Sequence, residues 1–434
     1  MKQIKNKIEM SMKQIFAPIV AATALLMSLA ACSSDDSING DDVIYMLPEK
    51  TNITLTEGQQ QMRHNNNEFA CRLFRTITEQ QDDAGSTIVS PISVTYLLGM
   101  LNAGADGETR GQIMEVLGLG NDPAAINAYC KKMTDEAPYV DPSVTLKIAN
   151  CIYINSAMGI SLVPQYKSDM QQYYNAEAAA LDFNNSNSLN IINGWCNSHT
   201  DGMIPTILDE VKSNAAMYLL NAIYYRATWT EKFDPKDTRD MDFTLAGGTT
   251  ASHKMMHRKA LALYGQNDVC QTLWLPYGSG GYAMFVLLPN EGKTMDDVIQ
   301  SLSAQGIENQ LNRMDTHEVD ILMPRFTTSS ETKLEQALSS MGMPLAFDPY
   351  NAQFPHMAQG HSLYVSMMKQ KARIEVNEEG TKAAAVTIAE MNMAMAPEPR
   401  QYEKVDFHAT RPFVYYIMEM STRTVFFMGT YRGI

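Results

Sequence analysis

Residues 377–407 read NEEGTKAAAVTIAEMNMAMAPEPRQYEKVDF. The stretch opens on a charged turn and passes through Ala383, Ala384 and Ala385. It then becomes rich in methionine and is broken by Pro397 and Pro399. RPFVYYIMEMSTRTVFFMGTY (411–431), with the look of two core strands, follows it. About thirty residues without a core-forming pattern, placed just ahead of the last two strands, demand a reason. Loops that long inside a compact domain are uncommon and usually functional.

The rest of the chain supplies the frame. It has 434 residues, 45% hydrophobic and 19% charged, enough for one large or two ordinary domains with a real core. The net charge of −14 argues against nucleic-acid binding, which needs a cationic footprint. No internal repeat is present, and no apolar run beyond the N-terminus is long enough to span a bilayer. Lys2, Lys5, Lys7 and Lys13 precede the apolar run IFAPIVAATALLMSLAA (15–31), the pattern of an export signal. LAAC (29–32) resembles a bacterial lipobox, which makes Cys32 the lipidated residue, and the acidic SSDDS (33–37) resembles a surface-export tether. The expected division is a signal peptide at 1–31, a lipidated cysteine with a polar linker at 32–61, and a folded domain at 62–434. The expected location is the outer membrane, lipid-anchored and facing the periplasm or the cell surface. Cys71, Cys130, Cys151, Cys196 and Cys270 are odd in number and form no CxxC, so neither a zinc knuckle nor a full disulfide framework is signalled. Buried free thiols are expected, with a single disulfide left open.

Helices come early. NNNEFACRLFRTITEQ sets Phe69, Leu73 and Ile77 on one face. SPISVTYLLGMLNAGADG begins with Ser90 as N-cap and Pro91 at the first helical position, and is apolar all round. GETRGQIMEVLGLG closes at Gly118. Strands dominate later: VTLKIANCIYIN, AAMYLLNAIYYRATW, YAMFVLLP, VDILMPRF, RIEV, and a terminal hairpin turning at 421–424. This order predicts an α+β domain with a large, mainly antiparallel sheet.

Two tempting sites fail on chemistry. HKMMH (253–257) lacks the Glu that a zinc protease places after its first histidine. In a strand, His253 and His257 also lie about 13 Å apart. GSGG (278–281) precedes a strand, not a helix, and so reads as a hairpin turn and not as a phosphate cradle. With no G-x-S-x-G elbow and no defensible nucleophile–base pair, no catalytic residue, cofactor or metal is expected, and a hydrolase is the weakest reading.

EVNEEGTKAAAVT (375–387) resembles the hinge of a serpin reactive-centre loop. STIVSPISVTYLLGMLNAGADGET (86–109), INGWCNSHTDGMI (192–204), LLNAIYYRATWTEKFD (219–234), MPRF (323–326), RPFVYYIM (411–418) and TRTVFFMGTY (422–431) resemble the same family, so the likeness covers about 62–434. The resemblance implies the serpin fold, with helices around a large, mainly antiparallel central sheet and a mobile reactive-centre loop at about 377–406. It implies an irreversible suicide-substrate inhibitor of serine, and also cysteine, endopeptidases. The protease cuts the loop and forms an acyl-enzyme; the cut loop then enters the sheet as a new strand and traps it. The implied partner is the target protease in a covalent complex, with the inhibitor a monomer that meets the membrane through its lipid alone. Glu378 is the hinge acid, and Gly380, Thr381, Ala383, Ala384, Ala385, Val386 and Thr387 are the inserting residues. Ser90, Ser93, Asn221 and Trp229 belong to the sheet-opening region, with Gln370 where the family often has histidine. Lys382 stands where it often has glutamate.

Counting down from Glu378 puts the scissile bond at Ala394–Met395, with Met393 a neighbouring candidate and Arg400 a decoy for trypsin-like enzymes. Small or medium apolar residues there suit elastase-like proteases. With Thr381 inward, alternation gives a small face of Thr381, Ala383, Ala385, Thr387 and Ala389 and puts Lys382 and Glu390 on the other. That is the pattern of a strand not yet in its sheet. The alternative is a non-inhibitory serpin-fold binding protein.

Overall fold

The computed structural model describes residues 49–81, 85–118, 123–245, 247–360, 363–381 and 401–433. The signal peptide, Cys32, Lys382, the inserting residues Ala383 to Thr387, Met393, Ala394, Met395 and Arg400 lie outside the described residues.

Helix α1 (Glu57–Glu79) opens with a capping box. The Thr56 hydroxyl accepts from the Gln59 amide at 3.3 Å, and the Gln59 side chain accepts from the Thr56 amide at 3.1 Å. The folded unit therefore begins ahead of the boundary expected at residue 62. Even upstream of the helix, the Thr51 amide donates to the Val140 carbonyl at 2.8 Å, and buried Ile53 donates to the Ser421 hydroxyl at 2.9 Å. The segment is polar in composition but is held by its backbone, which composition does not report. α2 (Pro91–Gly104) is buried along nearly its whole length, as its all-round apolar sequence requires. α3 (Gly107–Leu117) ends at Gly118, whose φ of +69° supplies the left-handed cap. α4 (Pro123–Glu136), α5 (Pro164–Tyr174), α6 (Ser188–His199), α7 (Met295–Ser301), α8 (Ala304–Leu311) and α9 (Glu335–Ser340) complete the described helices.

The strands run β1 (Ile88–Val89), β2 (Val144–Asn155), β3 (Ser161–Leu162), β4 (Glu177–Leu181), β5 (Met217–Thr228) and β6 (Arg239–Thr244). They continue with β7 (Thr250–Gln266), β8 (Cys270–Tyr277), β9 (Tyr282–Pro289), β10 (Asp315–Pro324), β11 (Phe326–Lys333) and β12 (Ala358–Gln359). The last are β13 (Met367–Asn377), β14 (Gly380–Thr381), β15 (Lys404–His408), β16 (Phe413–Glu419) and β17 (Thr424–Tyr431). They form two main sheets. A nine-stranded sheet has the order β1-β17-β16-β9-β8-β7-β10-β15, with β6 also on β7; a six-stranded sheet has the order β11-β13-β14-β5-β2-β4. The six-stranded sheet is mainly antiparallel but mixed, because β13 lies parallel to β5 and β4 parallel to β2.

VDILMPRF, expected as one strand, is two. The chain leaves β10 at Pro324 and enters β11 of the other sheet at Phe326, turning at Arg325. Phe326 drives the switch by packing on Phe413, Tyr415 and Tyr431 between the sheets. Most of the core fills the space between the sheets and α1 and α2. A smaller cluster, including Ile192, Trp195 and Cys196, seats α6 on the opposite face of β2 and β5. All five cysteines of the described residues are free and buried. Burial pushes the Cys71 and Cys196 thiols up to about 12, which keeps them protonated and inert.

Candidate functional site: the hinge and the seam of the six-stranded sheet

Strands β5 and β13 lie side by side in parallel over six paired positions, from Met367–Tyr218 to Ala372–Ile223. Beyond Ala372 they part, and β14 fills the gap between them. Gly380 pairs with Asn377 on one side and Thr228 on the other; Thr381 pairs with Val376 and Ala227. Both pairings are antiparallel. The first two residues of the expected inserting segment are thus already in the sheet.

The turn that feeds them is tightly specified. The Glu379 amide donates to the Asn377 side chain at 3.0 Å. Gly380 has φ +141°, and a Cβ there would fall 2.3 Å from the Ala227 carbonyl, so only glycine fits. The Trp229 amide donates to the Glu379 carbonyl at 2.9 Å, the Trp229 indole to the Asn377 carbonyl at 2.9 Å, and the Phe233 amide to the Glu378 carbonyl at 3.0 Å. Thr381 is fully buried, its hydroxyl 2.7 Å from that of Tyr277. Trp229 stacks on the same Tyr277 ring at 4.4 Å. Glu378 is buried. Burial pushes its carboxyl up, but hydrogen bonds from Arg325 and Thr238 outweigh this and hold it below its ordinary value. Lys232 pairs with the neighbouring Glu379.

A second cluster lies further down the seam. The Gln370 side-chain oxygen accepts from the Ser90 amide at 2.7 Å, and its nitrogen donates to the Ser90 carbonyl at 2.9 Å and to the Asn221 side chain at 3.3 Å. Ser90 and Ser93 hydroxyls are 3.0 Å apart. Asn221 in turn donates to Asn150 at 2.9 Å and to the Ala149 carbonyl at 3.3 Å. All these polar groups are buried. Gln370 and Asn221 face each other across the seam, so the side chain at position 370 joins β13, β5 and the start of α2.

Ser90, Ser93, Asn221 and Gln370 therefore come together as grouped from sequence; Trp229 does not. It lies beyond the end of β5, about 26 Å along at strand rise, and belongs with Glu378, Gly380 and Thr381. Arg325, Thr238 and Tyr277 carry the hinge but were given no role from sequence. Arg325 sits in the motif MPRF, so a signal was present; Tyr277 and Thr238 had none, being brought in from distant strands and turns.

A sheet parted at one end by the chain's own hinge defines a class of protein. The family described as Serpin (serine protease inhibitor) matches residues 64–433, and the chain belongs to that family. It is 30% identical over 426 residues to an uncharacterised serpin-like protein of Thermococcus kodakarensis, covering 95% of this chain and 97% of the relative. It is 30% identical over 384 residues to leukocyte elastase inhibitor A of Rattus norvegicus, covering 85% and 98%. Among solved structures, the thermophilic serpin tengpin in its native state superposes with a TM-score of 0.79 at 27% identity, covering 89% and 97% of the two chains. Thyroxine-binding globulin in complex with thyroxine gives 0.76 at 26% identity, covering 85% and 98%. Serpins are mostly protease inhibitors and generally not enzymes themselves.

Two consequences are measurable. Gln370→Ala strands the Ser90 amide in the core, leaves the Ser90 carbonyl with the Val94 amide alone, and should destabilise the uncut protein by about 1–3 kcal/mol, read from its denaturant midpoint. An unchanged midpoint would show that the seam is held elsewhere. Glu378 has a lowered pKa in the folded state, so its stabilisation is fully present above the ordinary 4.5 and is lost as pH falls below that through the folded value. The stability gap between wild type and Glu378→Gln should therefore be constant near neutrality and close on acidification, in urea titrations from pH 7 to about 3. A gap independent of pH would contradict the Arg325 pairing as its source.

Proposed function

We propose that this protein is a suicide-substrate inhibitor of serine endopeptidases of elastase-like specificity, and secondarily of cysteine endopeptidases. One observation carries the reading: Gly380 and Thr381 are hydrogen-bonded between β13 and β5, above a seam where those strands pair directly with each other with nothing between them. Entry of the following residues would exchange one parallel pairing for two antiparallel ones, which are slightly stronger per residue. Thr381 points into the core. Alternation then sends Ala383, Ala385, Thr387 and Ala389 the same way, all small enough to pass under the sheet.

About a dozen new ladder hydrogen bonds at roughly 1 kcal/mol net each amount to on the order of 10 kcal/mol. That rivals the whole stability of an ordinary domain, about 5–15 kcal/mol, so the uncut form is kinetically trapped. The bait bond is Ala394–Met395, with Met393 as neighbour. The likeness to leukocyte elastase inhibitors supports an elastase-like target. Cutting at Arg400 would leave about 20 Å of slack between hinge and acyl bond, so trypsin-like enzymes should cleave there without being trapped. The protein is further proposed to work as a monomer, exported and anchored through lipidated Cys32 to the outer membrane, on its periplasmic or outer face.

A second reading, a non-inhibitory serpin-fold binding protein, draws on the thyroxine-bound neighbour. A denaturing gel separates the two. Mixed with elastase, the protein should give a stable band at the summed mass, and Thr381→Arg should be cut at the same bond but release active protease, because an unpaired charge would displace the buried start from which the strand must extend. Cleavage of wild type with no covalent band would favour the binding protein. A complex from Thr381→Arg as fast as from wild type would sink the inward face. For the anchor, Cys32→Ala should move the protein out of the membrane fraction; a wild-type protein found wholly in the soluble periplasmic fraction would end the lipoprotein reading.

A further inference from the structure

The strand that leaves the bait loop carries a second arrangement on its outer face. β15 pairs in parallel with β10, and β10 pairs antiparallel with β7. The register sets His257, Leu322 and His408 in one row across the three strands and Lys259, Asp320 and Asp406 in the next. Positions two apart in a strand share a face, so all six project to the same side. Two imidazoles from the two outer strands converge on the middle one: His257 Nε2 lies 2.8 Å and His408 Nε2 3.4 Å from the same oxygen, Oδ1 of Asp320. The ligand atoms of Asp320, Asp406 and His408 all lie within 4.8 Å of one another. Lys259 holds the other Asp320 oxygen at 2.8 Å and leaves Oδ1 to the histidines.

We propose that Asp320, Asp406 and His408 form a binding site for a divalent transition-metal ion of the zinc type, with His257 as a positioning residue against Asp320. One imidazole nitrogen and two carboxylates, with a fourth position left to water, are a donor set that suits Zn²⁺, and hard Ca²⁺ or Mg²⁺ would want more oxygens than these residues provide. Ligand atoms around a tetrahedral ion with bonds of about 2.0–2.1 Å sit roughly 3.4 Å apart, close to the His408–Asp320 separation, whereas His257, at 2.8 Å, hydrogen-bonds Asp320 and orients it. His408 and Asp320 are both partly accessible to solvent, so an ion can reach them. A bound ion would tie β15, and through it the outgoing end of the bait loop, to two strands of the nine-stranded sheet. A His253–His257 pair plays no part, since His253 turns instead to the Tyr431 hydroxyl at 3.0 Å.

The test is calorimetric titration of the intact protein with zinc chloride. One ion should bind with micromolar affinity, with no heat from magnesium or calcium chloride. His408→Gln and His257→Gln, on partly exposed positions that circular dichroism can verify as folded, should each weaken binding by about tenfold or more. His253→Gln should leave it unchanged. Lys259→Met should tighten it by removing the competing ammonium. Cobalt substituted for zinc should show the visible absorption of a tetrahedral centre. Absence of binding at millimolar zinc, or full affinity in both folded His257→Gln and His408→Gln, would overturn the site.

Discussion

Gln370 joins three elements with one side chain. It bonds the Ser90 amide and carbonyl at the start of α2 and reaches across to Asn221 on β5, while its own backbone belongs to β13. Any widening of the seam between β5 and β13 must break these bonds in a place with no water to replace them, where each broken partner carries its full desolvation cost. The lower seam is therefore shut by buried polar contacts, not by the parallel ladder alone. The upper seam is already open and wedged by Gly380 and Thr381.

The wedge stands where the two sheets meet. Trp229, just past β5, stacks on Tyr277 at the end of β8, and a backbone bridge links the same two residues. Tyr277 then meets the Thr381 hydroxyl. On the other side the chain passes from β10 to β11 through Arg325, whose guanidinium holds Glu378. The turn before the wedge is thus clamped to both crossings between sheets.

This division of labour separates the acids from the small residues in sequence. Glu378 and Glu379 lie in the turn, each with a basic partner, Arg325 and Lys232. From Thr381 onward the inward positions of the alternating pattern carry no charge. Charge where the chain must stay and small uncharged side chains where it would enter a core is the physical content of the motif.

Much of this was legible in the chain. Near-continuous apolar runs marked the buried helix α2 and the strands β5 and β9, because burial on all sides leaves few positions for a polar residue. The resemblance of residues 375–387 to a serpin hinge pointed to the turn, and the alternation after Gly380 agrees with it. Other features were not legible, for one reason: they depend on which strands become neighbours. The split of VDILMPRF at Arg325, the mixed sheet, the placing of Trp229 at the hinge and not with Gln370, and the convergence of His257 and His408 on Asp320 all arise from pairings between residues far apart in sequence. Local pattern fixes which face of an element is buried; only the packed sheets decide which side chains that face will meet.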